Sequence, residues 1–393
     1  MKEYKISKVW AIFIYIIGSL FIALFTLILF LPVIPGMENE VIPDVYWFLA
    51  VISLAMISLI TIGLIDIYKA KFVIDKNKIF SIGVFSKKEL VFNEIKGYRI
   101  TDKFIFIESK NEHKKKIKVS TYFEKTHEIK TWLSNNFSDL DIVQIVNERK
   151  EILNNPEFGA TSKDREVKLT QAFKTAKIIN WSGGIIAAWT LLFPNPYEYA
   201  IIASIIFPLV CLVILKYHHG LIRTDERKDS AYPSIFWAIF ISSTGLSVRA
   251  LLDYKIFDYS NVWIPSVLIL LTYLGILGIG NKEFNRNDNK VNFSIIAIVL
   301  FIYGYSYSTV VTLNCIYDKS ESKIYDATVL DKHVTAGKTK TYYVKLTPWG
   351  SLKEIEDVSV SQDLYNRLQY HDKVKIYFMN GQFEIPWFKI VEQ

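Results

Sequence analysis

The chain has 393 residues, of which 51% are hydrophobic and 15% aromatic, and its formal net charge is +7. Its mean hydropathy is +0.22. The apolar residues fall in long blocks instead of alternating stripes, which excludes an ordinary soluble protein and predicts a multi-pass membrane protein.

The first apolar run follows a lysine-rich N-terminus and extends from about residue 9 to 31. It is longer than the core of a signal peptide and has no small-residue cleavage site, so it predicts an uncleaved span. A second span is predicted at 45–67, after a loop (37–44) that has acids but no Lys or Arg. The basic flanks place both ends of this hairpin, residues 1–68, on the cytoplasmic side.

Residues 69–137 form a predicted cytoplasmic domain of short strands closed by an amphipathic helix at 123–136. Polar turns separate runs with β-type composition. The predicted strands are 71–75, 78–85, 88–93, 95–101, 103–109 and 115–120. Both faces of FIFIES (104–109) are apolar, which predicts a central strand.

Three pieces of this segment resemble the bacterial pleckstrin-homology-like domains, which are found attached to membrane hairpins. They are FVIDKNKIFSIGVFSKKELVFNEI (72–95), FIFIESKNEHKKKIKVS (104–120) and the closing helix with Trp132 and Leu133. The resemblance implies a domain that binds a protein partner or anionic lipid headgroups. The resemblance implies no catalytic residue in this chain.

Basic side chains cluster in two turns of this domain, where a bilayer held directly beside it would meet them. A solvated hairpin tip is the other interpretation. Nucleic acid is not expected as a partner, because no aromatic residues are interleaved with the lysines. The candidate lipid- or partner-binding residues are Lys87, Lys88, Lys114, Lys115, Lys116 and Lys118.

A polar helical connector is predicted at 138–177, with Thr161 or Ser162 as a helix cap and an acid three residues on. A transmembrane region, 178–316, follows it. Its predicted spans are 178–193, 199–216, 234–252, 262–280 and 291–314. Basic loops at 216–228 and 281–290 alternate with loops poor in Lys and Arg, which places the C-terminus outside.

The tail, residues 317–393, is a second predicted β domain, a small barrel or sandwich. Its predicted strands are 324–332, 341–347, 356–361, 373–379 and 382–390, with a short helix at 361–370. Asn380–Gly381 is a strong signal for a tight hairpin turn between the last two strands.

No HExxH, CxxC or GxGxxG pattern occurs, so neither an enzyme nor a metal or cofactor site is predicted. His218 and His219 are interpreted as an interfacial pair. A serine nucleophile in VSVSQD (358–363) has no histidine partner placed by the sequence. Cys211 and Cys315 are interpreted as buried thiols.

Polar residues inside the predicted spans mark either helix packing or a polar cavity. The candidate intramembrane residues are Ser243, Thr244, Arg249, Tyr303 and Tyr305. Arg249 precedes Asp253 by one helical turn, so local pairing would also explain its charge.

Together these patterns predict an α+β membrane protein with about seven transmembrane helices, located in the bacterial inner membrane. The expected function is that of a non-enzymatic scaffold or sensor whose cytoplasmic domain binds anionic headgroups, or a membrane or cytoplasmic protein. The alternative is a transporter or lipid-handling channel lined by the fifth and seventh spans.

Overall fold

The computed structural model describes residues 1–34, 43–111, 114, 116–279, 291–335 and 340–393, with the backbone alone for 43–45 and 291–298. The chain separates into two compact units, Met1–Asn147 and Glu148–Gln393. The five-part division predicted from the sequence is finer and stays a prediction. Most of the loop 37–44, Lys115 and the basic loop 281–290 lie outside the described residues.

The first unit consists of a helical hairpin, two antiparallel sheets and a closing helix. Its helices are α1 (Lys8–Phe30), α2 (Pro43–Lys69), α3 (Thr126–Asn136) and the start of α4 (Leu140–Asn154). One sheet has the order β1 (Lys2–Lys5), β2 (Lys71–Ile74), β3 (Lys78–Ile82), β4 (Lys87–Val91). The other has the order β5 (Ile95–Ile100), β6 (Phe104–Ser109), β7 (Ile117–Ser120).

β6 is the central strand of the three-stranded sheet, as the sequence predicts. Its Ile105 and Ile107 are fully buried in the core beside Ile129 and Leu133 of α3. Phe104, on the other face, is half-buried. Burial of these apolar side chains between the sheet and α3 stabilises this unit.

The sequence analysis missed β1, which it treated as a basic flank. β1 pairs with β2 from Lys2 opposite Ile74 to Lys5 opposite Lys71. Tyr4 supplies its only large apolar surface and is 3% exposed in the core. The domain therefore begins before the first apolar helix and resumes after the second.

The second unit contains a helix bundle in which each helix packs on at least two others. They are α5 (Ser162–Leu192), α6 (Tyr197–Tyr217), α7 (Phe236–Asp253), α8 (Trp263–Gly278) and α9 (Val291–Ile316). The predicted cap of α5 is confirmed: the Thr161 hydroxyl accepts from Asp164 N at 3.1 Å, and Thr161 N donates to the Asp164 carboxylate.

The predicted count of seven spans is wrong for the described residues: four helices are long and apolar enough to cross a membrane. They correspond to α1, α2, α6 and α9. The first half of α5 is charged, α7 carries hydroxyl side chains and Arg249, and α8 is only 16 residues long.

The four apolar helices indicate a multi-pass membrane protein. In α1 and α2 only 6% and 11% of the apolar window is buried inside the protein, so their side chains present apolar surface outward along the whole hairpin. Soluble proteins do not leave apolar patches of that size in water. In α6 and α9 about half of the window is buried by neighbouring helices.

The tail forms one antiparallel sheet that also recruits β8 (Lys255–Ile256) from the loop between α7 and α8. The other members are β9 (Lys323–Val334), β10 (Tyr342–Leu346), β11 (Glu356–Val360), β12 (Lys373–Met379) and β13 (Trp387–Glu392), with α10 (Gln362–Arg367) beside them. The order is β11-β10-β9-β12-β13-β8. This sheet is a half-barrel, where the sequence predicts a small barrel or sandwich.

The predicted tight turn at Asn380–Gly381 is wrong. β12 and β13 pair as far as Met379 opposite Trp387, so residues 380–386 form a longer loop. The loop closes around Asn314 of α9, whose amide donates to Ile385 O at 2.9 Å and whose Oδ1 accepts from Phe383 N at 2.9 Å. Main-chain bonds to a side chain from another element outweigh the local turn preference.

Candidate functional site

A row of paired residues crosses the four-stranded sheet of the first unit beside the ends of α1 and α2. Lys5 pairs with Lys71, Lys71 with Ile82, and Ile82 with Lys87. We call this row of four residues the basic edge. Because α1 begins and α2 ends within a few residues of it, the basic edge lies where the apolar helices stop.

The turn between β3 and β4 is fixed to the last turns of α2. Val84 N donates to Asp66 Oδ1 at 2.8 Å, and Gly83 N donates to Ser86 O at 3.0 Å. The Phe85 side chain at the tip of this turn is 80% exposed. A large exposed aromatic ring therefore lies next to the end of an apolar helix, beside Lys87.

Not every cation of the basic edge is free to meet an anion. Glu3 lies 3.0 Å from Lys71 and 3.4 Å from Lys5, and its hydrogen bond from Lys71 lowers the pKa of Glu3. Lys87 instead lies over the Phe80 ring, with its Nζ 4.9 Å from the ring centroid. Among the contacts described for the basic edge, Lys87 is thus the cation held by a ring and not by a carboxylate.

The structure brings the two predicted lysine clusters together at one point, where Lys88 Nζ approaches Lys116 O at 3.5 Å. Lys114 Nζ donates to Glu94 Oε1 at 2.7 Å, which lowers the pKa of Glu94, and Lys116 is ion-paired with Glu108.

Lys118 lies 3.6 Å from the centroid of the Phe104 ring. Lys115 lies outside the described residues. The hairpin lysines are therefore mostly engaged within the domain, while Lys87 remains at the helix ends.

Aromatic residues join the domain to the start of α1. Trp10 and Tyr122 have ring centroids 4.6 Å apart, and Ser7 N donates to Tyr122 O at 2.9 Å. Sequence reasoning did not select Phe85, Asp66 or Tyr122. The signal for Phe85 was available, because an aromatic residue in a short turn before two lysines is typical of a membrane interface.

Most of the candidate intramembrane side chains bond within the helix bundle. Tyr305 OH donates to Ile205 O of α6 at 2.6 Å, and Thr244 Oγ1 donates to Phe240 O, one turn back, at 2.7 Å. Ser243 is 1% exposed, and its hydroxyl has no partner among the described residues. Tyr303 is half-buried on α9. The polar faces of α7 and α9 also meet directly, through Ser247 and Ser308 hydroxyls 3.0 Å apart.

Arg249 caps the last turn of a neighbouring helix. Its Nε donates to Thr190 O at 2.7 Å, and its Nη2 donates to Leu191 O at 2.9 Å. Its Nη1 lies 3.3 Å from Asp253 Oδ1, as the local-pairing interpretation expects. The last carbonyls of a helix have no donor within the helix, and the Arg249 guanidinium supplies donors to two of them. Its positive charge is balanced by Asp253.

The remaining reactive side chains are dispersed. Cys211 and Cys315 are buried free thiols. Within the described ranges, no group of three or more His, Cys, Asp or Glu side chains could hold a metal ion. His218 and His219 follow α6 directly, and Asp225 pairs with Arg227 at 2.5 Å in the same loop.

In comparisons with family models, curated proteins and solved structures, none matched this chain.

Proposed function

We propose that this protein is a non-enzymatic membrane scaffold or sensor whose N-terminal domain rests on an anionic membrane surface. The observation that carries the proposal is the bond from Val84 N to Asp66, because it fixes the Phe85 turn to the end of α2. The Phe85 ring, held beside the end of α2, can enter the headgroup region of the membrane, and Lys87 can contact lipid phosphates there. Each lysine near an anionic surface contributes about 1 kcal/mol.

We further propose that residues 2–137, apart from the two helices of the hairpin, form a pleckstrin-homology-like domain. A four-stranded and a three-stranded antiparallel sheet closed by α3 support this assignment. In that domain the strand β1 is supplied from before the first helix. A fragment starting at residue 69 would lack it, so binding experiments need the full chain.

For orientation, we propose that the basic loop at 216–228 is cytoplasmic and that the tail is outside, in a bacterial inner membrane. β8 joins the loop after α7 to the sheet of the tail, so the tail and the loop before α7 lie at opposite ends of that helix. This orientation therefore requires α7, which is not among the four long apolar helices, to cross the membrane as well. Reporter fusions at residues 225 and 393 should then report opposite compartments, with 225 in the cytoplasm. If the fusion at 393 reports the cytoplasm and the fusion at 225 the outside, the tail is cytoplasmic and the proposed orientation is wrong.

The lipid proposal is tested with the full chain in nanodiscs of phosphatidylcholine alone or mixed with phosphatidylglycerol. Hydrogen–deuterium exchange of residues 83–88 is the readout. We expect added protection in the anionic discs, and we expect high salt to remove it. Equal exchange in the two kinds of disc would contradict the proposal.

Two double variants isolate the lysines. Lys87→Gln with Lys88→Gln removes two lysines beside the helix ends, and Lys76→Gln with Lys78→Gln removes two at the opposite end of β3. We expect the first pair to abolish the anionic protection and the second to keep it. If both variants behave alike, the effect is one of net charge and not of this turn.

The transporter alternative stays a prediction. The polar side chains of α7 and α9 are used in contacts between helices. The Ser247 and Ser308 hydroxyls bond to each other, and Tyr305 and Arg249 donate to main-chain oxygens of α6 and α5. These contacts favour helix packing over a polar path. A substrate-dependent flux in proteoliposomes would restore the alternative.

A further inference from the structure

A cavity of about 250 Å³ lies between the C-terminal ends of α6 and α8 in the second unit. Three buried leucines line it, Leu212, Leu215 and Leu277, which are 3%, 6% and 4% exposed. Lys216 and His219 also line it. The cavity therefore presents both apolar and basic side chains.

The ammonium group of Lys216 is the unusual feature of this cavity. Its Nζ is buried, yet it has no hydrogen-bond partner within the part of the chain that the structure describes. A buried ammonium ion without a partner is strongly unfavourable, so such groups are normally paired with an anion. A ligand that brings a negative charge to this point would remove that cost.

The chain after α6 shapes an opening beside this amine. His219 and Gly220 adopt positive φ angles of 49° and 90°, which turn the chain sharply at the rim. The His219 side chain is exposed there, so its ring can donate to an anion that Lys216 holds from below. α6 is one of the four helices apolar enough to cross a membrane, so we expect its end to lie at lipid headgroup depth.

We propose that this cavity binds the phosphate group of one anionic phospholipid. Lys216 Nζ pairs with the phosphate, His219 donates from the rim, and the first carbons of an acyl chain pack on Leu212, Leu215 and Leu277. Free phosphate could pair with the Lys216 amine, but it would make no apolar contact with the three leucines. Basic pockets at the ends of membrane helices are a known type of lipid headgroup site.

The test is thermal unfolding of the full detergent-solubilised chain with phosphatidylglycerol, phosphatidylcholine or inorganic phosphate. All proteins carry Lys87→Gln and Lys88→Gln, so that binding by the N-terminal domain does not contribute. We expect phosphatidylglycerol to raise the Tm at roughly tenfold lower concentration than phosphatidylcholine, the effect of one charge-assisted contact. An equal shift with inorganic phosphate would overturn the lipid assignment.

Variants of the amine separate binding from folding. Lys216→Met should lose the preference for phosphatidylglycerol and should unfold at a higher temperature than its parent without lipid, because it removes an unpaired buried charge. Lys216→Arg should keep the preference, and Lys177→Gln, which removes an exposed lysine of α5, should match the parent. If Lys216→Met keeps the preference, or if the parent shows none, the proposal is wrong.

Discussion

The amine of Lys255 joins the two edge strands of the tail sheet by binding Ser359, which is 104 residues away in the chain. Lys255 Nζ donates to the main-chain oxygen of Ser359 and lies 3.1 Å from its Oγ. β8 and β11 stand at opposite ends of the strand order. The contact therefore bridges the seam between the two edges of the half-barrel, and it does so with a residue from the loop between two helices of the bundle.

Replacing Lys255 should open this seam. Burial lowers the pKa of Lys255, so the site already bears a desolvation cost that the bonds to Ser359 offset. We expect Lys255→Met to lower the free energy of unfolding of the tail by about 1–3 kcal/mol. Faster hydrogen exchange along β11 is the measurement. The exposed Lys373→Met is the control, and equal exchange in both variants would contradict a sealing role.

The same contact permits a test of the non-enzymatic proposal. Amine and hydroxyl are close enough for proton transfer, the arrangement that activates a serine nucleophile. We expect no labelling of Ser359 by a fluorophosphonate probe, because the amine is held by the main-chain oxygen of the same residue. Labelling that disappears in both Ser359→Ala and Lys255→Met would make the protein a candidate hydrolase.

Asp318 should make the junction between α9 and the tail sensitive to pH. Its carboxylate accepts from Trp387 Nε1 at 2.7 Å and from Gly381 N at 2.9 Å. Burial opposes its ionisation, but bonds from Ser320, Trp387 and Gly381 outweigh burial and lower the pKa of Asp318.

A lowered pKa in the folded state means that this contribution is present above the unfolded value of about 4 and is lost as the pH falls through the lower folded value. The hydrogen-exchange protection factors of residues 380–387, which correct for the intrinsic pH dependence of exchange, should therefore fall in acid. In Asp318→Asn the same residues should exchange fast at neutral pH, with a loss of about 1–3 kcal/mol, and should show little further change in acid. A variant that keeps the acid response of its parent would rule out Asp318 as its source.

Two adjacent glycines of α5, one packed against α7 and one not, allow a controlled test of packing in the helix bundle. A Cβ on Gly183 would lie 2.7 Å from both Cα and O of Ala238 on α7, whereas a Cβ on Gly184 would meet nothing within 4 Å. We expect Gly183→Ala to lower stability by about 1–3 kcal/mol and Gly184→Ala to leave it unchanged or slightly raised. Thermal unfolding in detergent measures both. Equal effects would mean that α5 and α7 do not pack at this point.

Arg249 should matter for stability and not for a substrate path. Arg249→Gln removes donors from Thr190 O and Leu191 O at the end of α5, so we expect a loss of about 2 kcal/mol or more. Arg367→Gln, which breaks an exposed pair with Glu392, should cost less than about 1 kcal/mol. Unchanged unfolding of Arg249→Gln would argue against the capping role.

The positions of the strands and helices could largely be predicted from the sequence, because local pattern determines them. The alternation of FIFIES predicts a central strand, and the apolar runs predict helices at α1, α2, α6 and α9. The number of spans could not be predicted from length alone. α5, α7 and α8 are apolar enough to be buried among other helices, and a count of hydrophobic residues does not separate that burial from contact with lipid.

The candidate sites depended even more on tertiary structure. Lysines that look alike in the sequence differ once folded: Lys114 and Lys116 have carboxylate partners, while Lys87 lies over a ring at the end of α2. In the sequence Lys216 belongs to a basic loop like any other, and only the fold shows that its amine is buried at a cavity which residues of α8 also line.

The sequence by itself thus determined that this is a membrane protein with two β-rich modules, since long apolar runs and period-two alternation are local properties. Only the tertiary structure decided which distant strands complete those modules. Residues 2–5 and 255–256 have too little apolar surface to predict a strand, and they become strands because a neighbouring edge supplies main-chain hydrogen-bond partners. The seam between Lys255 and Ser359 exists for the same reason.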